Sequence, residues 1–195
     1  MRTLLQLSLE MKTLSNKTKI TGGNWKGRSI DIIDKSNVKP TKSYIRENLF
    51  NWIGHNLSNK WIVDAFAGSG SLGFEAASRK ASKVIMLESD KEVYNFLVKQ
   101  KEKLNANNIE IYNEYAQVFL KNYNLDSSIV FLDPPFLTND MYEIIEILSK
   151  TNDIVVYFEI PLKIKDQVLK AKPNGWDLIK HSKIGNVFYG LFSSN

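Results

Sequence analysis

Between residues 61 and 160 five short apolar runs recur, WIVDAF, KVIMLE, IEIY, IVFLD and IVVYFEI, each followed by a segment with helical patterning. Strand and helix in alternation, with strands apolar along nearly their whole length, require a parallel sheet covered on both faces. The spacing predicts helices over 72–79, 92–104, 116–123 and 141–148, with a short one after the fifth strand. Two further strands, near 176–181 and 187–192, are joined by Gly185-Asn186 and read as an antiparallel hairpin. Ahead of the alternation, KITGG and RSIDII surround Gly22, Gly23 and Gly27 and predict a small β-hairpin closed by VKPT. A helix over 43–53 follows, with Ile45, Leu49, Phe50 and Ile53 on one face. That phasing turns Lys42 and Arg46 away, towards solvent or a ligand. The expected organisation is a loosely ordered leader (1–18), a basic arm and helix (19–58), and an α/β doubly wound, Rossmann-like domain (59–195) with a C-terminal antiparallel hairpin.

A chain of 195 residues buries one substantial core. It has no cysteine, which excludes disulfides, thiolate metal sites and cysteine nucleophiles, and only two histidines, His55 and His181, so a metal centre is not expected. Its charge is uneven. Residues 1–60 hold 11 Lys/Arg against 4 Asp/Glu, whereas residues 61–195 hold 15 against 17. A basic front end of this kind points to a polyanionic partner, nucleic acid first; lysine enrichment throughout would not by itself concentrate there. The leading apolar stretch, Leu4 to Leu9, is interrupted by Gln6 and Ser8 and followed by Glu10. It is too short and polar for a signal-peptide core, and no run approaches the roughly 20 apolar residues of a bilayer span. Met11 offers a second start codon. A cytoplasmic protein without membrane contact, acting as a monomer, is expected.

In doubly wound sheets ligands sit beyond the carboxyl ends of the strands. Three features fall there. DAFAGSGSLG, Asp64 to Gly73, contains G-x-G-x-x-G as Gly68-Ser69-Gly70-Ser71-Leu72-Gly73. Such a loop brings backbone close to a ligand and leads into a helix N-terminus, although a tight strand–helix turn alone would also want glycine. Asp64 alters the choice of ligand. A carboxylate ahead of the glycines repels a pyrophosphate and suits a cation, which favours S-adenosylmethionine, with its sulfonium and ammonium, over a nicotinamide dinucleotide. Glu88, closing KVIMLE about 20 residues after the loop, is placed to accept hydrogen bonds from two ribose hydroxyls. Asp90, in SDKE, reads instead as a helix cap.

The third feature is DPPF, Asp133 to Phe136, closing the fourth strand. Neither Pro134 nor Pro135 can donate a backbone hydrogen bond, so the strand stops and a stiff turn holds a carboxylate and a ring beyond the sheet. A bare turn would account for the prolines. An exocyclic amine accounts for more: Asp133 and the Pro134 carbonyl each accept one N–H, steering the lone pair towards a methyl donor. Phe136 stacks on a base drawn out of its helix.

DAFAGSGSLGFEA, MLESD and IVFLDPPF, together with ITGGNWKGRSI, KPT, IRENLFNWI and NVFYGLF, resemble the motifs of the bacterial 16S rRNA guanine-N2 methyltransferases, over nearly all of 19–192. DPPF alone is widespread among amino-methyltransferases; the N-terminal set narrows the match. The resemblance implies an S-adenosylmethionine-dependent methyltransferase fold and methylation of a guanine N2 in 16S rRNA, within the small ribosomal subunit. It implies Asp64, Phe66, Gly68, Gly70, Glu88 and Ala116 at the cofactor, and Asp133, Pro134 and Phe136 at the guanine amine. Lys26, Arg28, Lys39, Thr41 and Arg46 would face RNA. Two departures stand out: Tyr115-Ala116 replaces an Asp/Asn–Ala pair near the adenine, and KPT replaces RPT, which loses a bidentate grip on phosphate.

Other readings share some of these features: a DNA adenine-N6 or cytosine-N4 methyltransferase, a non-catalytic RNA-binding assembly factor, and, more remotely, a nicotinamide-dependent oxidoreductase. Trp25 reads as a pin holding the hairpin to the domain, Trp52 and Trp61 as core, His181 as structural, and KQKEKLN (99–105) as a solvated helix face.

Overall fold

The computed structural model describes residues 17–33, 42–134 and 140–194. The elements are β1 (Lys17–Lys19), β2 (Ser29–Asp31), α1 (Ser43–Ile53), β3 (Trp61–Asp64), α2 (Ser71–Ser78), β4 (Lys83–Leu87), α3 (Lys91–Leu104), β5 (Ile109–Tyr112), α4 (Ala116–Asn122), β6 (Ser128–Leu132), α5 (Asp140–Leu148), β7 (Val155–Pro161), α6 (Lys165–Lys170), β8 (Trp176–Ile184) and β9 (Val187–Ser194). Among the described residues, β3 to β9 form one seven-stranded sheet in the order β5-β4-β3-β6-β7-β9-β8. Pairing is parallel from β5 through β7, and β9 runs antiparallel to both its neighbours. The chain winds outward from β3 to β5, returns to β6 on the other side of β3, and so leaves a topological switch point between β3 and β6.

The continuous apolar strands are explained by burial on both faces. Successive residues of β3, Ile62 and Val63, enter two different cores. One core joins the sheet to α1, α2, α3 and the arm; the other joins it to α4, α5 and α6. Ile20 and Ile30 of the arm, and Ile45, Leu49 and Phe50 of α1, are all buried in the first. The arm and α1 thus share the sheet's core. The leader expected over 1–18 lies outside the described residues except at Lys17 and Thr18, which already belong to β1 and pair with Asp31 and Ile30.

The arm is attached to α2 and α3 by contacts that only glycine permits in one place. Gly23 has φ +75°, and a Cβ there would lie 1.9 Å from the Ser78 carbonyl oxygen, so backbone rests directly on the end of α2. Ser78 completes the junction, its hydroxyl donating to the Gly22 carbonyl (2.6 Å) and accepting the Trp25 N–H (2.9 Å). Trp25 packs against the core, as a pin would. On α3, Gln100 accepts the Asp31 N–H (3.3 Å) and Lys103 pairs with the Asp31 carboxylate at 2.8 Å. That pairing, Lys103 first, holds Asp31 below the usual carboxylate range. The KQKEKLN face is therefore only partly solvated, because Gln100 is buried and holds the arm.

Arg46, expected to face RNA, is instead 1% exposed. Its guanidinium donates to the Lys19 carbonyl (2.7 Å) and the Thr18 hydroxyl (3.0 Å), and its Nε stands 3.9 Å from the Glu75 carboxylate. Amphipathic counting places Arg46 on the polar side of α1, but the arm covers that side. Glu75 of α2, with no exposed surface, accepts from the Thr21 N–H (2.8 Å), the Thr21 hydroxyl (2.9 Å) and Arg79 Nε (2.9 Å). Removing one partner of a buried charge cluster typically costs about 3–5 kcal/mol, because the others stay desolvated and unneutralised. Glu75→Ala is accordingly expected to lower the unfolding free energy by about 3–5 kcal/mol in urea titration, and a loss below about 1 kcal/mol would contradict this role.

Candidate active site

The Gly-rich loop begins where β3 ends and is stitched to both neighbouring strands. Ala65 N–H donates to the Phe131 carbonyl of β6 and Ala67 N–H to the Leu87 carbonyl of β4, each at 3.0 Å. Gly70 then enters α2 as its N-cap, with φ +76°. A Cβ there would lie 2.5 Å from the Phe74 ring and 2.8 Å from Leu97, so neither the dihedral nor the space accepts another residue. Gly70 has no side chain to cap the helix. Asp64 does so from the strand: its Oδ2 accepts the Gly73 N–H at 2.9 Å, one of the amides that a helix start leaves without an intrahelical partner. A Cβ on Gly73 would fall 3.1 Å from that same oxygen and 2.8 Å from Met86 Sδ.

Asp64 is 2% exposed, which changes how it acts. Burial pushes its carboxyl up to about 7; the Gly73 N–H opposes the shift, and the charges of Asp133 and Glu88 add to it. Glu88 at the end of β4 is half-buried. Its Oε2 accepts the Gly68 N–H (3.1 Å) and its Oε1 the Asp90 N–H (2.8 Å). Burial, partly offset by these amides, raises its pKa. Two amides use only part of a carboxylate's acceptor capacity. Asp90 caps α3, as the sequence suggests, accepting from Glu92 N–H (2.9 Å) and Val93 N–H (3.1 Å).

Asp133 and Pro134 follow β6 and are half-buried beside this loop. Three carboxylates thus gather at the carboxyl ends of β3, β4 and β6, around the switch point. Phe66 is partly buried and packs on the α4–α5 side. Ala116 opens α4 and is buried, while Tyr115 before it is 68% exposed and makes no side-chain cap. Lys26 and Arg28 are exposed on the arm, Arg28 donating to the Lys103 carbonyl at 3.2 Å. Phe136, Lys39 and Thr41 lie outside the described residues.

Two sets of residues escaped the sequence reading. Asn113, following β5, donates from Nδ2 to the Glu88 (2.8 Å) and Ser89 (3.0 Å) carbonyls and ties β5 to the end of β4. Nothing in IEIYN announces this. On β7 the Tyr157 hydroxyl donates to Glu159 Oε1 at 2.8 Å, and Asn48 of α1 donates to the hydroxyl of Tyr189 on β9 at 2.8 Å. A glutamate interrupting the apolar run IVVYFEI was the available signal.

Among the described residues no group of side chains is arranged to hold a metal ion, and no helix is long and apolar enough to cross a membrane. The strand order, the reversed last strand and the acidic residues around a glycine loop define a methyltransferase of the doubly wound class. Residues 18–193 match the family model described as Conserved hypothetical protein 95. The chain is 34% identical over 182 residues to ribosomal RNA small subunit methyltransferase D of Escherichia coli K12, covering 91% of this chain and 90% of that one. It is 35% identical to the Haemophilus influenzae protein of the same name (95% and 98% covered) and 36% to that of Buchnera aphidicola from Baizongia pistaciae (93% and 97%). Among solved structures, Escherichia coli yhhF superposes with a TM-score of 0.81 at 32% identity, covering 92% of this chain and 98% of that one. A methylase from Haemophilus influenzae gives 0.72 at 34%, covering 92% and 99%. The chain belongs to the Conserved hypothetical protein 95 family, in which these ribosomal RNA small subunit methyltransferases D are its relatives.

The raised Asp64 pKa has a testable sign. The folded chain keeps this proton up to about pH 7, whereas an unfolded aspartate loses it near 3.9. The contribution of protonated Asp64 to stability is thus complete below about pH 4 and is lost as pH rises through about 7. Asp64→Asn removes the titration and keeps an acceptor for Gly73. The melting temperature of wild type minus that of the variant is expected to fall between pH 5 and pH 8. A difference that stays constant over that range would show that Asp64 does not titrate there.

Proposed function

We propose that the chain transfers a methyl group from S-adenosylmethionine to the exocyclic N2 amine of one guanine in 16S rRNA, in the small ribosomal subunit and in the cytoplasm. The observation that carries this reading is Asp133 at the end of β6, across the switch point from a glycine loop that opens on Asp64 and has no basic residue. Asp64 already occupies the Gly73 N–H, one of the helix-start amides on which a pyrophosphate would sit, which disfavours the nicotinamide alternative. Exposed Lys26 and Arg28 suit a phosphate backbone, and relatives named for rRNA favour RNA over duplex DNA.

The residues fit the cofactor. The backbone at Gly68 and Gly70 admits close approach, Glu88 retains acceptor capacity for ribose hydroxyls, and the Ala116 N–H opens a helix beside the β4 end. Asp64 supports the loop by accepting the Gly73 N–H and, being buried, acts through it. S-adenosylmethionine, when bound, supplies an electrophilic methyl on a sulfonium. The chain's residues do the rest by positioning, which accounts for most of the acceleration in such in-line displacements. Asp133 and the Pro134 carbonyl accept the two N–H bonds of the amine, so that its lone pair points at the methyl carbon. Held by Gly68, Gly70, Glu88 and Ala116, the cofactor would supply the methyl carbon and keep the former C–S bonding pair on its sulfur. The N2 proton in excess is already hydrogen-bonded to Asp133, which passes it to water. Phe136 stacks on the extruded base.

Asp133→Ala is expected to lower methyl transfer to small subunits by at least about 100-fold, the range of a lost general base or orienting acceptor, with cofactor affinity within a few-fold by calorimetry. Loss of cofactor binding in parallel would assign Asp133 to the cofactor site, and retained turnover would overturn the reading.

A further inference from the structure

Asp133 is not alone at its level of the sheet. Leu132 pairs with Phe158 in the parallel β6–β7 ladder, so the next position along carries Asp133 on one strand and Glu159 on the other. Neighbouring strands lie about 4.8 Å apart, and residues two apart share a face. Phe131 and Tyr157 enter the core under α1, and the following positions, Asp133 and Glu159, continue on that face. Both are half-buried. Glu159 is held in place: the Tyr157 hydroxyl donates to its Oε1 at 2.8 Å, and Tyr189 stands opposite it in the β7–β9 register. Tyr189 is in turn fixed by the Asn48 amide at 2.8 Å and by Trp52 stacked at 5.5 Å. Burial first, then the charge of Glu159, and further on that of Asp133, raise the Tyr157 phenol well above its ordinary value, so it stays a donor.

Along its Watson–Crick edge guanine presents N1–H beside the N2 amine, two adjacent kinds of donor. Adenine presents a bare N1 lone pair there. Two carboxylates side by side suit the first edge and repel the second. We propose that Glu159 is the specificity-determining residue of this site, accepting the N1–H of the target guanine while Asp133 accepts from N2. Tyr157 is the positioning residue that orients the Glu159 carboxylate. This rests on the guanine-N2 reading above and extends it to the choice of base.

The test uses the full chain and, after the wild-type product has been mapped, small-subunit substrates reconstituted with guanine or 2-aminopurine at the methylated position. 2-Aminopurine keeps the N2 amine but has a lone pair in place of N1–H. A site built to accept an N–H rejects the analogue lacking it strongly. The wild type is therefore expected to favour guanine in kcat/KM, and Glu159→Gln, whose amide can donate to a bare N1, to reduce that preference by at least about tenfold. Tyr157→Phe, which keeps the ring and releases the carboxylate, is expected to move the ratio the same way by a smaller factor. A ratio unchanged in both variants, with both substrates slowed alike, would make Glu159 merely structural. A wild-type product without N2-methylguanosine would instead remove the guanine reading itself.

Discussion

Glu75 has no exposed surface, yet the arm, α1 and α2 all present donors or cations to it. Charges are hard to desolvate, so such a cluster persists only when its geometry is satisfied by every contributor. Here the contributors are the segments that differ most in sequence character: a glycine-rich hairpin, an amphipathic helix and the helix after the loop. Arg46 shows the cost of the arrangement. Burial lowers its pKa despite the Glu75 charge, and its Nε has no hydrogen-bond partner among the described residues. Arg79 lies over the Phe50 ring at 4.7 Å and shares Glu75, which closes the cluster against the first core.

Because α2 is only eight residues long, the arm and the ligand loop are fastened to opposite ends of one rigid piece. Ser78 and Gly23 hold the arm at its C-terminus; Gly70 and Asp64 shape its N-terminus. The surface that carries Lys26 and Arg28 is thereby set relative to the glycine loop through α2. On the proposed reading, a substrate held by the arm would meet the acidic ends of β3, β4 and β6 in a fixed frame, which is what catalysis by positioning requires.

Much of this was legible in the chain, for a physical reason. Parallel strands buried on both faces leave a strong local signature, and WIVDAF, KVIMLE and IVFLD each became a strand at or within a few residues of the expected bounds. Helix α1 falls at Ser43–Ile53, as its periodicity predicts. Caps are local too, so Asp90 could be told from Glu88. What was illegible depended on contacts distant in sequence. Arg46 counts as a polar-face residue unless the arm, about 27 residues away, is known to cover it. Gln100 sits in a charged run and is recruited by Asp31, 69 positions earlier. Asp64 looks like a ligand for a cation, and only the fold reveals that it is buried with one oxygen on the Gly73 N–H. Glu159 was visible as an acid within an apolar strand, but its pairing level with Asp133 follows from strand register alone.

The central claim is that the acidic carboxyl ends of the strands, joined to a basic arm through α2, make a guanine-N2 methylating site for ribosomal RNA. The most direct measurement is transfer of tritiated methyl from S-adenosylmethionine to small ribosomal subunits lacking the modification, followed by digestion to nucleosides. The account predicts label in N2-methylguanosine of 16S rRNA. Label in N6-methyladenosine or N4-methylcytidine, or no label although the cofactor binds, would contradict it.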